Sequence, residues 1–178
     1  IGTDYVYAIH KDEYSGTLWF GGLYGKISSY NPITKNARIY DEDASLRCFA
    51  SYNDSTIMLG LYRGLYLMNK RTGEKQPTRI NVSVNHIFKE GDGAYWIGTM
   101  SHGLYYYNLQ TDSLTRFTRE LHGLSSNHIY AIVKDEAGSL WISTEDGVNK
   151  LSPNKGEIIR YNKQDGLISN QFIANASF

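Results

Sequence analysis

Short apolar and aromatic runs of about four to six residues alternate along this chain with clusters of Gly, Asp, Asn and Ser, a strand-and-turn rhythm. No segment keeps an apolar stripe at helical spacing. The rhythm is also repetitive: Leu18-Trp19-Phe20-Gly21-Gly22 returns as Tyr95-Trp96-Ile97-Gly98-Thr99 and as Leu140-Trp141-Ile142-Ser143-Thr144, with a degenerate copy at Ile57-Met58-Leu59-Gly60-Leu61. Trp19, Met58, Trp96 and Trp141 mark steps of 39, 38 and 45 residues. A few positions later each unit carries a glycine that opens a new strand, at Gly25, Gly64, Gly103 and Gly147. The first and fourth units also match upstream, Val6-Tyr7-Ala8-Ile9-His10-Lys11-Asp12-Glu13 against Ile129-Tyr130-Ala131-Ile132-Val133-Lys134-Asp135-Glu136.

Each unit parses into four short strands: the Val6 type, a Gly/Asp turn, the Trp strand, a variable loop, the Gly-Leu-Tyr strand, an Asn/Thr/Gly turn and a last strand such as Arg38-Ile39-Tyr40. Four antiparallel strands in about 40 residues, repeated in tandem, predict all-β structure built of β-propeller blades. The expected blades cover 4–40, 46–80, 84–118 and 127–161, with the first strand of a fifth in 165–178. A β-sandwich also has regular short strands but does not require tandem self-similarity. Propellers close on themselves to protect strand edges, so a chain that stops one strand into a blade reads as a fragment of a larger ring. A closed four-bladed ring is the alternative.

Composition narrows the function classes. The 178 residues carry 18 Lys plus Arg against 18 Asp plus Glu, which removes the basic stripe of an electrostatic nucleic-acid binder. Tyr outnumbers Phe and Trp, 15 against 6 and 3, as suits strands. The single cysteine, Cys48, cannot form an intrachain disulfide or a thiolate cluster. No run of about 18 apolar residues is present, so no membrane contact is expected of this segment.

The pattern Asp-Glu-x-Gly-x-Leu-Trp-Ile-x-Thr-x-x-Gly-Val over 135–148, with the lead-in Asp165-Gly166-Leu167-Ile168-Ser169-Asn170-Gln171-Phe172, resembles the two-component regulator propeller repeat. The resemblance covers nearly the whole chain, strongest from Val84 to Phe172 and weakest in the second unit, where Met58 departs from Trp. It implies the periplasmic sensor region of a hybrid two-component system of the Bacteroidetes type, part of an inner-membrane protein. Further propeller blades, a membrane helix, a histidine kinase and a DNA-binding regulator would lie outside this chain. It also implies an oligosaccharide ligand, a homodimeric full-length sensor and control of polysaccharide-utilisation genes.

Positions that recur between units are explained by the blade, so variable polar positions are the better candidates for function. Trp19, Trp96 and Trp141 are expected to pack between neighbouring blades. The loops between second and third strands vary strongly and share one end of the blades with the inter-blade connections, where a rigid scaffold presents binding residues. This gives eight candidates. Tyr24 and Tyr62 offer flat faces to a sugar ring; Arg63 and His102 read carboxylate, sulfate or hydroxyl groups; Met100 and Ser101 flank His102; Glu145 and Asp146 accept from hydroxyls.

Other chemistries have less support. His86 and His128 sit in similar Asn-His-Ile segments, but zinc needs three or four converging ligands and no local partner is present, so neither metal nor cofactor is expected. A propeller-fold glycosidase or lyase would need catalytic groups that the turn acids Asp12, Glu13, Asp54, Glu90, Asp92, Asp135 and Glu136 do not suggest. The segment is therefore expected to be non-catalytic. A generic propeller scaffold for protein contacts is the competing class.

Overall fold

The computed structural model describes residues 5–23, 25–41, 44–91, 93–153 and 156–172. Sixteen strands form four separate four-stranded meanders in which each strand pairs with its neighbour in sequence. The first sheet is β1 (Val6–Lys11), β2 (Leu18–Gly22), β3 (Lys26–Tyr30) and β4 (Ala37–Asp41). The second is β5 (Leu46–Ser51), β6 (Thr56–Leu61), β7 (Gly64–Asn69) and β8 (Lys75–Pro77). The third is β9 (Val84–Gly91), β10 (Ala94–Thr99), β11 (Leu104–Asn108) and β12 (Ser113–Phe117). The fourth is β13 (Ile129–Lys134), β14 (Leu140–Thr144), β15 (Gly147–Ser152) and β16 (Glu157–Tyr161). These are the propeller blades that the tandem pattern predicts.

The chain divides into two compact units, Ile1–Val84 and Asn85–Phe178. In the first unit Trp19 is 1% exposed, stacked on Tyr40 of its own blade at 5.4 Å between ring centroids and set against Phe49 of the next blade at 6.3 Å. In the second, Trp96 lies against Tyr106 and Phe117 of its own blade and shares a core with Ile129 and Ile132 of β13. Both indoles therefore fill the space between two sheets, as expected. Trp141 differs: it is half-buried, stacked on Tyr161 at 5.4 Å with the Lys150 ammonium over its ring. Each Trp thus pairs with an aromatic at the same register of the outermost strand, since Tyr40, Phe117 and Tyr161 face Ile27, Leu104 and Val148.

Blades approach closely where the second strand carries glycine. A Cβ on Gly21 would lie 2.9 Å from Leu46 Cδ2, and one on Gly98 would lie 2.6 Å from Ile129 Cγ2. The glycines opening third strands have a different reason. Gly103 and Gly147 adopt φ of 80° and 88°, and a Cβ there would strike the Phe117 and Tyr161 carbonyl oxygens at 2.2 and 2.3 Å.

Polar groups stitch adjacent blades as well. Ser51 Oγ lies 2.8 Å from His10 Nε2 and accepts the Glu13 amide, and Lys70 Nζ meets Asp12 Oδ2 at 2.8 Å with both side chains nearly buried. In the second unit Lys134 pairs with Glu90, and Asn85 donates to the Ile129 carbonyl. The turn acids also hold the tryptophans, for Glu90 accepts the Trp96 indole N–H and Asp135 that of Trp141, each at 2.9 Å. Asp12, the counterpart in the first blade, serves Lys70 and Ser15, and the buried Trp19 Nε1 has no hydrogen-bond partner among the described residues.

Capped turns follow the third and the fourth blade. Thr118 caps the single turn α1 (Arg119–His122), and Gly123 ends it in the left-handed region. Asn162 caps the 3-10 turn Lys163–Asp165, and Gly166 ends that one. The segment 165–178, expected to open a fifth blade, contains no strand through residue 172, and residues 173–178 lie outside the described residues.

Two predictions follow from this packing. Gly98→Ala is expected to cost about 2–3 kcal/mol by overpacking, because the stiff β-branched Ile129 cannot yield, whereas Gly21→Ala costs about 1 kcal/mol against the mobile end of Leu46. Urea midpoints of the two variants decide; equal losses would contradict the account. The second concerns Asp12, whose carboxyl is pushed up by burial but brought below its ordinary 3.8 by hydrogen bonds from Lys70 and Ser15 and the Lys70 charge. Its contribution to stability is present above pH 3.8 and is lost as pH falls through the lower folded value. Lys70→Met is expected to cost about 3 kcal/mol at pH 7, where the carboxylate is left buried and unpaired, and clearly less at pH 3. A loss of the same size at both pH values would refute the assignment.

Candidate functional site

The loops between second and third strands are held by one device in the second unit. Thr99 Oγ1 donates to the Gly103 carbonyl at 2.7 Å and accepts the His102 amide; Thr144 Oγ1 donates to the Gly147 carbonyl at 3.1 Å and accepts the Asp146 amide. Both threonines are fully buried. A β-branched hydroxyl thus closes each loop from inside and leaves the residues between it and the glycine outside.

In the second blade Tyr62 is 57% exposed with its amide bonded to the Ser45 carbonyl, and the Arg63 guanidinium lies 4.8 Å from the Tyr66 ring. In the third, Ser101 Oγ and His102 Nδ1 are 2.9 Å apart, the His102 carbonyl accepts Arg116 Nε, and Met100 is half-buried. In the fourth, Glu145 and Asp146 are exposed; the Glu145 amide reaches the His128 carbonyl, and Asp146 Oδ1 accepts from Asn170. Tyr24 lies outside the described residues.

Asp146 alone among the candidates lines a groove of about 410 Å³ in the second unit, together with Arg119, Ser125, Arg160, Tyr161, Asn162, Lys163, Gln164 and Asn170. The sequence places 119–127, with Arg119 and Ser125, beside the candidate loops but singles out none of these partners as a contact. Its floor is a buried network: Asn149, fully buried, accepts the Ser125 amide at 2.9 Å and donates to Ser125 Oγ, which lies 2.8 Å from Thr144 Oγ1. Its wall is the 162–170 connection. There Asn170 accepts the Lys163 amide on its side chain and the Gly147 amide on its carbonyl. Asn127 does the same one blade earlier, for the Arg119 and Gly103 amides. This shared clamp is the physical reason Gly123-Leu124-Ser125-Ser126-Asn127 is matched by Gly166-Leu167-Ile168-Ser169-Asn170.

A second groove, of about 280 Å³, lies at the opposite end of the first two blades, among turn residues such as Asn31, Asn36, Asp54 and Lys70. It holds none of the eight candidates.

The two Asn-His-Ile segments are not structurally equivalent. Glu90 and Asp135 accept from the corresponding tryptophans and so fix the register; His86 lies four residues before its acid, inside β9, and His128 seven before its own, ahead of β13. Burial lowers the His86 imidazole to about 4, so it is neutral at physiological pH. Among the described residues no group of three or more His, Cys, Asp or Glu side chains could hold a metal ion. Among them, too, no helix is long and apolar enough to cross a membrane.

The comparisons with known proteins agree with this geometry. Residues 123–146, which run from the α1 cap to the Asp146 loop, match the family described as two component regulator propeller. The histidine kinase P4 of Formosa agariphila is 26% identical over 192 residues, an alignment covering 97% of this chain and 14% of that protein. Among solved structures, the extracellular domain ascribed to the one component system BT4673 of B. thetaiotaomicron superposes with a TM-score of 0.77 at 24% identity, covering 90% of this chain and 22% of that one. The extracellular domain ascribed to the hybrid two component system BT3049 of the same organism gives 0.76 at 19%, covering 90% and 25%. This chain therefore spans about a seventh of the curated relative and about a quarter of the solved domains. Meander, repeat and family match converge: residues 123–146 carry the two component regulator propeller repeat, and the chain around them is built of four such four-stranded units and resembles extracellular propeller domains in fold.

Proposed function

We propose that this segment belongs to a periplasmic sensor that recognises an oligosaccharide and passes the signal to a histidine kinase through a homodimeric full-length protein. The observation that carries the reading is the match at 123–146, because it ends on a loop that a buried threonine locks while leaving Glu145 and Asp146 exposed. A blade that fixes its own backbone and frees variable side chains is suited to ligand recognition. Tyr24, Tyr62, Arg63, Met100, Ser101, His102, Glu145 and Asp146 are the proposed contacts. A ligand moves the kinase equilibrium only by its differential affinity for two arrangements of the sensor.

One feature of the first blade supports further propeller blades as partners. Ile9 faces Phe20 as Ile132 faces Ile142, yet Ile132 is 1% exposed beside Trp96 while Ile9 is 69% exposed, with Val6 at 40% on the same strand. The Ile9 position is where the tryptophan of a preceding blade would seat.

A glycan array on the whole sensor region, with calorimetry on each hit, tests the function. Tyr62→Ala or Arg63→Ala is expected to weaken binding at least about tenfold, a loss of about 1.4 kcal/mol, with the fold intact. Unchanged affinity in every loop variant would remove these contacts. Ile9→Asp is expected to change the stability of the isolated chain by less than about 0.5 kcal/mol. In the whole sensor region the same substitution should lower the melting temperature measurably, and an unaffected whole region would refute the blade partner.

A further inference from the structure

We propose that the groove of the fourth blade takes the anionic group, carboxylate or sulfate ester, of an acidic saccharide. This rests on the oligosaccharide reading and narrows its ligand class. Three cations, Arg119, Arg160 and Lys163, line the groove against the single carboxylate of Asp146. The chain as a whole is charge-balanced, so the imbalance is local. None of the three cations is ion-paired among the described residues.

The Arg160 side chain is held directly, and the backbone that carries each of the other two cations is fixed. Arg160 projects from β16 and its Nε donates to the Gly123 carbonyl at 2.6 Å, which fixes the guanidinium plane and leaves its terminal nitrogens as donors for a planar anion. Lys163 sits on the capped 3-10 turn with its amide held by Asn170 at 2.8 Å. Arg119 opens α1, where Asn127 accepts its amide at 2.8 Å. Elements from three parts of the sequence thus aim positive charge into one volume. Their mutual repulsion is relieved by an anion.

The remaining lining suits a sugar rather than a bare ion. Asn162, Gln164, Asn170 and Ser125 supply amide and hydroxyl groups, and about 410 Å³ is far more room than a carboxylate requires. Asp146, in the same lining and bonded to Asn170, accepts hydroxyl donors and repels a second negative charge. It therefore sets which end of the saccharide faces the arginines.

The experiment is a site-resolved NMR titration of the 178-residue chain at constant ionic strength, with sodium glucuronate, glucose 6-sulfate, glucose and sodium acetate as probes. Saturable shifts at Asn162, Gln164 and Asn170 are expected with at least one acidic sugar at a Kd of about 1–10 mM, at least tenfold tighter than glucose or acetate. Whether the uronate or the sulfate ester binds more tightly identifies the anion. Arg160→Gln with Lys163→Gln should lower that affinity at least tenfold, while Arg71→Gln, an exposed cation of the first unit outside the groove, leaves it unchanged. Acetate binding as tightly as glucuronate and the sulfate ester would mean an adventitious ion only and would overturn the proposal. So would glucose binding equally well, the absence of shifts with both acidic sugars, or indifference to the double variant. A neutral glycan that shifts only the Tyr62 and Arg63 loop would overturn the groove and leave the oligosaccharide reading standing.

Discussion

The structure depends on a flat aromatic side chain held between two sheets. An indole on the second strand lies on a ring at the end of its own blade's fourth strand and presents its other side to the first strand of the next blade. Such a contact buries a large apolar area and tolerates only a narrow range of inter-sheet distance, since interiors are packed to crystal density. The carboxylate that takes the indole N–H keeps the ring from rotating out of that slot. Where Trp gives way to Met58, the fourth strand loses its aromatic too, and Thr78 bonds the Leu65 carbonyl near that register. Trp and its ring come and go together because neither fills the slot alone.

Close sheet approach creates the second constraint, on the backbone. Gly21 and Gly98 stand where a methyl group would collide with the facing blade, and Gly103 and Gly147 where it would strike a carbonyl oxygen. A side chain is costly at these four positions, whereas in the third and fourth blades the few residues between the buried threonine and the strand-opening glycine meet no such constraint. The blade therefore separates scaffold from recognition within a handful of residues. Specificity can change without touching the core.

Much of this was legible in the sequence, because the same packing problem is solved repeatedly and leaves the same residues behind. Trp19 and Trp96 between sheets, and Gly103 and Gly147 at positive φ, were readable from recurrence alone. The register of His86 against His128 was not, since a tripeptide match of Asn-His-Ile carries no information on which strand position it occupies; the acid that receives the indole does. The aromatics Tyr40, Phe117 and Tyr161 were visible as strand ends, but their pairing with Trp depends on cross-strand register. The groove was least accessible. Arg119, Arg160 and Lys163 come from a helical turn, an outer strand and a second connection, and long-range hydrogen bonds, the Asn127 and Asn170 clamps and the Arg160–Gly123 bond, bring such segments together.

Those clamps give the groove its leverage. Asn127 and Asn170 each tie a segment to the strand-opening glycine of the blade before it, so the groove is walled by the connection from the third blade to the fourth and by the segment after the fourth. A group bound there touches both of these segments and the outer strand β16, not the densely packed faces between sheets. An anion drawing Arg119, Arg160 and Lys163 together would act directly on two successive connections. Exposed cations are screened within about 10 Å at 0.1 M salt, so this coupling weakens as ionic strength rises, unlike contacts through the buried Ser125–Asn149 floor. Salt dependence therefore separates a signal carried by the connections from one carried by the blade core.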